Sequence, residues 1–264
     1  MLTWVSGPEQ PVPPVWGDVN RREDGGLTST AFCYPLVEEF RKADVFQDLI
    51  VFKDAAMTAT IDGHPEFIDG EMLSGNALSA LGVAPVIGRS LTSEDDRGPG
   101  TTVVVISESY WANRFGRSAE VLGKTIQLNG TPVTIVGVVN EKFSGLTLGQ
   151  VSKFFVPLTL QPLLMPRAQK VGSGGASLLD NPRSWWVLVM VRLRNDVSEA
   201  RTQANLDAIL RRTTREILPE AKGFERFHLK MQAGDRGLDY LRGFAKPASL
   251  LMALAGLVLP CWRV

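Results

Sequence analysis

Thr125-Ile-Gln-Leu-Asn-Gly-Thr-Pro-Val-Thr-Ile-Val-Gly-Val-Val139 is the stretch on which the fold turns. Two β-favouring runs, Thr125–Leu128 and Val133–Val139, flank Asn129-Gly130, which supplies the two positive-φ positions of a type I′ turn, so an antiparallel hairpin is predicted with Gly130 at positive φ. Just upstream, Thr101–Ile106 (Thr-Thr-Val-Val-Val-Ile) is β-branched throughout, as in a strand covered on both faces. Ser107 then reads as the N-cap of a helix carrying Tyr110, Trp111 and Phe115 and stopped by Gly116.

The same reading extends outward in both directions. Leu2–Val5 is a short β-favouring run before a Pro- and Gly-rich stretch to Gly26. From Tyr34, Leu36, Val37 and Phe40 alternate with Glu38, Glu39, Arg41 and Lys42 at helical spacing. Phe46–Phe52 reads as a buried strand, and Met57–Ile61 and Glu66–Leu73 as a hairpin closed by Asp62-Gly63. Asn76–Leu81 is a helical turn ended by Gly82. Phe154–Val156 and Trp185–Leu193 are further strands, the second followed by a capping box at Asp196–Glu199, a long helix bearing Leu206, Ile209, Leu210 and Ile217, and a last strand at Phe227–Met231. Strand, long helix, strand suggests a βαβ unit around a middle of hairpins, hence an α+β (mixed α/β) fold.

Bulk properties exclude several functions. The 264 residues, 44% hydrophobic and 21% charged, suffice for a sizeable core. Lys plus Arg and Asp plus Glu both number 28, so there is no net positive field for nucleic acid. Cys33 and Cys261, with His64 and His228, make neither a disulfide framework nor a zinc site. The start lacks the basic and apolar pattern of a signal peptide. Pro247–Leu259 carries no charge; its 13 to 16 helical residues would reach only about 20–24 Å, short of the ~30 Å hydrocarbon layer. Its apolarity surrounds the helix, as in a membrane segment cut early.

Candidate sites each have a plainer reading. Glu94-Asp95-Asp96 offers oxygens to a hard cation, without EF-hand spacing; a solvated turn accounts for it. Ser107-Glu108-Ser109 lacks the Gly-x-Ser-x-Gly elbow, and Gly172-Ser-Gly-Gly175 lacks the Lys-Ser/Thr of a P-loop. His64 and His228 have no second ligand nearby, and Arg211, Arg212 and Arg215 suit a solvated helix end. No catalytic, cofactor-binding or metal-binding residue is assigned, and no cofactor is expected.

Several segments, in collinear order over most of the chain, resemble the periplasmic core domain of MacB/FtsX-type ABC-transporter permeases, in particular the duplicated permeases without their own ATPase that abound in acidobacteria. They are Tyr34-Pro35 and its helix, Gly70–Asn76 into Leu81–Pro85, Gly88-Arg89 with Thr92–Asp96, and Val104–Ser107 through Trp111 and Arg114–Gly116. Val121–Ile126, Leu128–Gly130, Val136–Val138, Phe143-Ser144-Gly145, Trp185–Leu193 and Leu250–Leu259 continue the likeness.

The resemblance implies a two-lobed, non-catalytic extracytoplasmic domain. Residues 1–107 and 184–243 would form a βαβ lobe, 108–183 an inserted β-rich lobe, and 244–264 a truncated transmembrane helix. It implies transmission of ATP-driven helix motion at the cytoplasmic membrane, the domain facing the periplasm. Partners would be the remaining permease helices and a separate ATPase subunit, with room for a homodimer and a periplasmic or outer-membrane partner. The family's first membrane helix has no counterpart before Leu2, so the chain reads as a fragment, inactive alone and without an export signal. The rival is a soluble carboxylate-dependent hydrolase using Glu94–Asp96; a free periplasmic binding module would need a signal peptide.

Overall fold

A computed structural model describes residues 2–6, 16–17, 19–21, 27–98, 100–147, 149–166, 177–217, 219 and 229–233. In chain order the strands are β1 (Leu2–Ser6), β2 (Trp16–Gly17), β3 (Val19–Arg21), β4 (Leu27–Ser29), β5 (Phe46–Ile61), β6 (His64–Leu73) and β7 (Pro85–Gly88). They continue with β8 (Val103–Ser107), β9 (Thr125–Leu128), β10 (Thr131–Val139), β11 (Phe154–Pro157), β12 (Ser184–Trp185), β13 (Leu188–Leu193) and β14 (Lys230–Ala233). Helices described are α1 (Tyr34–Arg41), α2 (Ala77–Ala80), α3 (Glu108–Phe115), α4 (Gln161–Leu164) and α5 (Glu199–Ile217). The fold is mixed α/β, built on one large sheet.

The backbone of the molecule is β5, a 16-residue strand spanning about 50 Å at ~3.3 Å per residue. The sequence separates it into two strands at Lys53-Asp54; the structure runs through, because those two residues take their place in the ladder with β6, opposite Met72 and Glu71. Its first seven residues pair antiparallel with β13, from Phe46 opposite Leu193 to Phe52 opposite Leu188. Its last ten pair with β6, ending at Ile61 opposite His64 across the Asp62-Gly63 turn. Where β6 stops, Ser74 and Asn76 extend the ladder: Ser74 N–H donates to Val51 O, Val51 N–H to Ser74 Oγ, and Asn76 Nδ2 to Leu49 O.

The two halves of β5 face different surroundings. Around the first half, α1 and α5 cover Leu49, Val51, Val189 and Val191, while α2 and its neighbours cover Ile50, Phe52, Leu188 and Met190. Burial on both faces is why Leu49-Ile-Val-Phe52 is uninterruptedly apolar. The second half alternates, with Ala55, Met57, Ala59 and Ile61 buried and Ala56 and Thr58 exposed. Here β5, β6, β11, β8, β10 and β9 close on themselves, since β9 pairs with both β10 and β5. A closed ring has one interior and one exterior, so alternation is what it requires.

The hairpin over 125–139 forms as expected, with Asn129 and Gly130 at φ 48° and 84°. Asn129 also bolts the turn down. Its backbone and Oδ1 exchange bonds with Thr58, and its Nδ2 donates to Leu164 O at 2.8 Å. Strands β8 and β10 run parallel as neighbours with α3 between them in sequence, a βαβ element inside what reads from sequence as hairpins.

At the other edge of the sheet, β1 lies antiparallel between β13 and β14, giving a split β–α–β of β13, α5 and β14. Thr3 stands opposite Ala233 and Leu2 opposite Arg192. Several boundaries here differ from the sequence reading. Trp185–Leu193 breaks into β12, which joins β2, and β13, because Phe32 takes the pairing of Val187 between them. Ser198, not Asp196, caps α5, accepting from Arg201 N–H at 3.3 Å. The last strand begins at Lys230; Phe227 and His228 lie outside the described residues, as do Gly172–Gly175, Cys261 and the whole of 244–264. No described helix is long and apolar enough to cross a membrane.

Candidate functional site

Three clusters of polar side chains stand out. The first joins the two motifs around Gly70 and Phe143. Glu71, with no exposed surface, accepts from Leu146 N–H (2.8 Å to Oε1, 3.0 Å to Oε2) and Thr147 N–H (2.8 Å). Burial pushes its carboxyl above the usual range, the two amides pull the other way, and Asp54 opposite it in register adds to the rise. Gly70 lies flat against β11: a β-carbon there would overlap the Phe154 carbonyl oxygen and ring. Phe143, on the same loop as Leu146, packs on Phe155 with ring centroids 5.2 Å apart.

The second cluster is the turn from Arg89 to Asp96. Asp95, 3% exposed, is gripped bidentately by Arg89 (2.7 and 2.9 Å) and accepts from Thr92 N–H and Oγ1 (both 2.8 Å). Burial raises its pKa, but Arg89 and Thr92 together outweigh that and hold the carboxyl below its usual range. Asp96 instead accepts from Gly75 N–H (3.2 Å) and Thr159 N–H (3.1 Å), and burial raises it. Glu94 is exposed. The three carboxylates suggested as a cation or hydrolase site thus diverge: one serves an arginine, one two backbone amides, one the solvent. Among the described residues no group of three or more His, Cys, Asp or Glu is placed to share a metal ion.

The third is a shallow cleft of about 200 Å³ between α3 and the strand ends, lined by Glu66, Ser109, Tyr110, Asn113, Arg114, Val151 and Lys153. Glu66 Oε1 accepts from Tyr110 Oη at 2.8 Å and pairs with Arg114 Nε at 3.2 Å, and Arg114 Nη2 donates to Ile61 O.

The other sequence candidates stay apart. Ser107 caps α3 by accepting from Tyr110 N–H at 3.3 Å, with Ser109 Oγ 3.2 Å away. His64 is exposed at the distal turn. Arg212 reaches Glu39 on α1 at 3.4 Å. The Cys33 thiol is buried, and burial pushes it up to about 12, which leaves it unreactive. Glu71 lies in the Gly70–Asn76 segment of family likeness, but its role was missed from sequence because a glutamate in a strand reads as solvent-facing.

A family model described as the MacB-like periplasmic core domain matches residues 17–209, well over half of the chain. The chain belongs to that family. No curated protein matches. Among solved structures, the periplasmic region of MacB from Actinobacillus actinomycetemcomitans is similar with a TM-score of 0.59 at 15% identity, covering 89% of each chain. The extracellular domain of the ABC-type transporter YknZ from Gram-positive bacteria follows at 0.53 and 14% identity, covering 88% of this chain and 100% of that one. A domain of a permease protein from Porphyromonas gingivalis gives 0.53 at 18% identity, over 88% and 86%. At these identities the likeness shows a shared fold. For this MacB-like core domain, Glu71 and Asp95 are joints that tie the segments of the fold together.

Proposed function

We propose that this MacB-like domain is the non-catalytic, extracytoplasmic part of an ABC-transporter permease, carrying movement of membrane helices, driven by a separate ATPase subunit, to a task at the far end of the molecule. The observation that carries this reading is the register of the sheet. Thr3 and Ala233 are opposite one another at one end, with Leu193 and Phe46 beside them. From that end β5 runs unbroken into the closed ring and turns at Asp62-Gly63. Membrane helices attached beyond Leu2 and Ala233 would stand side by side, and their displacement would enter a single strand continuous with the distal barrel. Every residue of that strand's two ladders resists bending, since a bend opens cross-strand hydrogen bonds.

On this reading residues 1–107 and 184–243 form the membrane-proximal lobe, which holds the open sheet with α1 and α5, and residues 108–183 form the inserted lobe; the closed ring draws β5, β6 and β8 from the first and β9, β10 and β11 from the second. Residues 244–264 begin the following membrane helix, and a homodimer and a periplasmic or outer-membrane partner are part of the proposal. The test places spin labels at the exposed His64 and Arg201 in the assembled permease. The distance between them within one copy should be the same with and without ATP, while the distance between the two copies' His64 labels changes. An intramolecular distance that changes with nucleotide, or no nucleotide-dependent movement anywhere, overturns the lever.

A further inference from the structure

The cleft beside α3 has a charge imbalance that the transmission reading leaves unused. Its single carboxylate, Glu66, is matched by Arg114 and by the Tyr110 hydroxyl. Arg114 is spent on Glu66 and on the Ile61 carbonyl. Lys153, by contrast, has no ion pair for its ammonium among the described residues, although its backbone is fixed on both sides: its N–H donates to Asp69 O and its carbonyl accepts from Ser107 N–H. Ser109 and Asn113 lie one helical turn apart on α3 and add a hydroxyl and an amide to the same wall. Val151 at the rim is an apolar side chain left 63% exposed.

We propose that this cleft is a carboxylate-binding subsite, in which Lys153, Ser109 and Asn113 hold one carboxylate and Val151 packs on the aliphatic stem that bears it. One unmatched ammonium suits a single negative charge; a phosphate would ask for a second cation, and Arg114 is already committed. A cationic ligand would find Lys153 in its way, and Glu66 already occupied. The size admits a glutamate-like side chain rather than an extended molecule. The ligand is therefore either a free small carboxylate or an acidic side chain presented by a polypeptide, and the chemistry at the site is the same.

The experiment is an amide NMR titration of the full 264-residue chain with N-acetylglutamate, and separately with a glutamate-containing hexapeptide, at low and high salt. Saturable shifts at Ser109, Asn113, Val151 and Lys153 are expected, weakened by salt. The Lys153→Gln variant should bind about tenfold more weakly, the loss of one charge-assisted contact, while Lys142→Gln, whose lysine lies outside the cleft, should match the wild type. A peptide that binds better than the free acid assigns the site to a protein partner; equal binding assigns it to a small carboxylate. Absence of saturable shifts, or an unchanged response in Lys153→Gln with its spectrum otherwise intact, overturns the subsite.

Discussion

Gly145 and Glu71 touch so closely that a β-carbon on the glycine would stand 2.8 Å from Glu71 Oε1 and 2.6 Å from Ser152 Oγ. Gly145 has φ +116°, a conformation side chains resist, so backbone freedom and lack of bulk are both needed for the loop to deliver its next two amides to the carboxylate. The pair explains at one point why a glycine and a glutamate far apart in sequence belong to one joint.

Glu71 should make stability depend on pH. Its folded pKa lies above the unfolded value, so its contribution is full below the unfolded carboxylate range and is lost as pH rises through the folded pKa. Urea unfolding from pH 4 to 8 should show Glu71→Gln gaining on the wild type as pH rises. Glu71→Ala, which strands the N–H groups of Leu146 and Thr147 and empties a buried site, should cost about 2–4 kcal/mol. A stability difference between wild type and Gln variant that does not vary with pH would refute this.

Asp95 has the opposite sign. Its pKa is depressed, so its contribution is present above the unfolded value and disappears as pH falls through the lower folded one. Arg89→Ala should cost about 1–3 kcal/mol, less than the loss of a fully buried partner because Arg89 is 47% exposed. The loss should shrink in acid, which thermal melts at pH 7 and pH 3 would compare.

Gly75→Ala should be among the most damaging single-methyl additions in the chain, because the new carbon would overlap the Thr92 carbonyl and crowd Ser93 Cα at 2.9 Å. Both obstacles are backbone, so relief requires the 92–96 turn to move and the Asp96 bond to Gly75 to break. A cost of about 3 kcal/mol is expected from such overpacking, measured by chemical denaturation.

Asn129→Ala should cost about 2 kcal/mol, more than an ordinary turn substitution, since it removes side-chain bonds to Thr58 and Leu164 along with the preference for positive φ. Hydrogen exchange at Thr58 should speed up in this variant and leave β13 unaffected.

Deleting residues 247–264 should leave cooperative unfolding intact and reduce partitioning into vesicles, if the uncharged run Pro247–Leu259 is a membrane segment. Loss of cooperative unfolding in the shortened chain would assign that run to the core instead.

How far the fold was legible varies with the physical cause. Local chemistry was readable: Asn129-Gly130 closes its hairpin, Ser107 caps α3, and Gly82 takes φ +72° at the end of α2. Long-range pairing was not. Nothing local tells Phe46–Phe52 and Met57–Ile61 that they are one strand, because the change from continuous to alternating burial records a change of neighbours, not of conformation. Trp185–Leu193 looks uniform, yet its break is imposed by Phe32, over 150 residues upstream. The Glu94–Asp96 run looked like a cluster because neighbours in sequence were counted as neighbours in space; their partners lie on three different sides. The segments of both polar joints, Gly70–Asn76 with Phe143–Gly145 and Gly88-Arg89 with Thr92–Asp96, were visible beforehand through family likeness, but the bonds that join them at Glu71 and Asp95 were not.

The register that sets Thr3 opposite Ala233 also makes the domain a cassette. A unit whose two connections emerge about one strand spacing apart, roughly 5 Å, occupies no more room in its host than a tight turn. Such a unit can be grafted into a loop, exchanged between permeases, or lengthened at the distal barrel without changing the distance between the host elements on either side. Evolution and protein engineering are then free to alter what the far end meets while the host elements on either side keep their spacing.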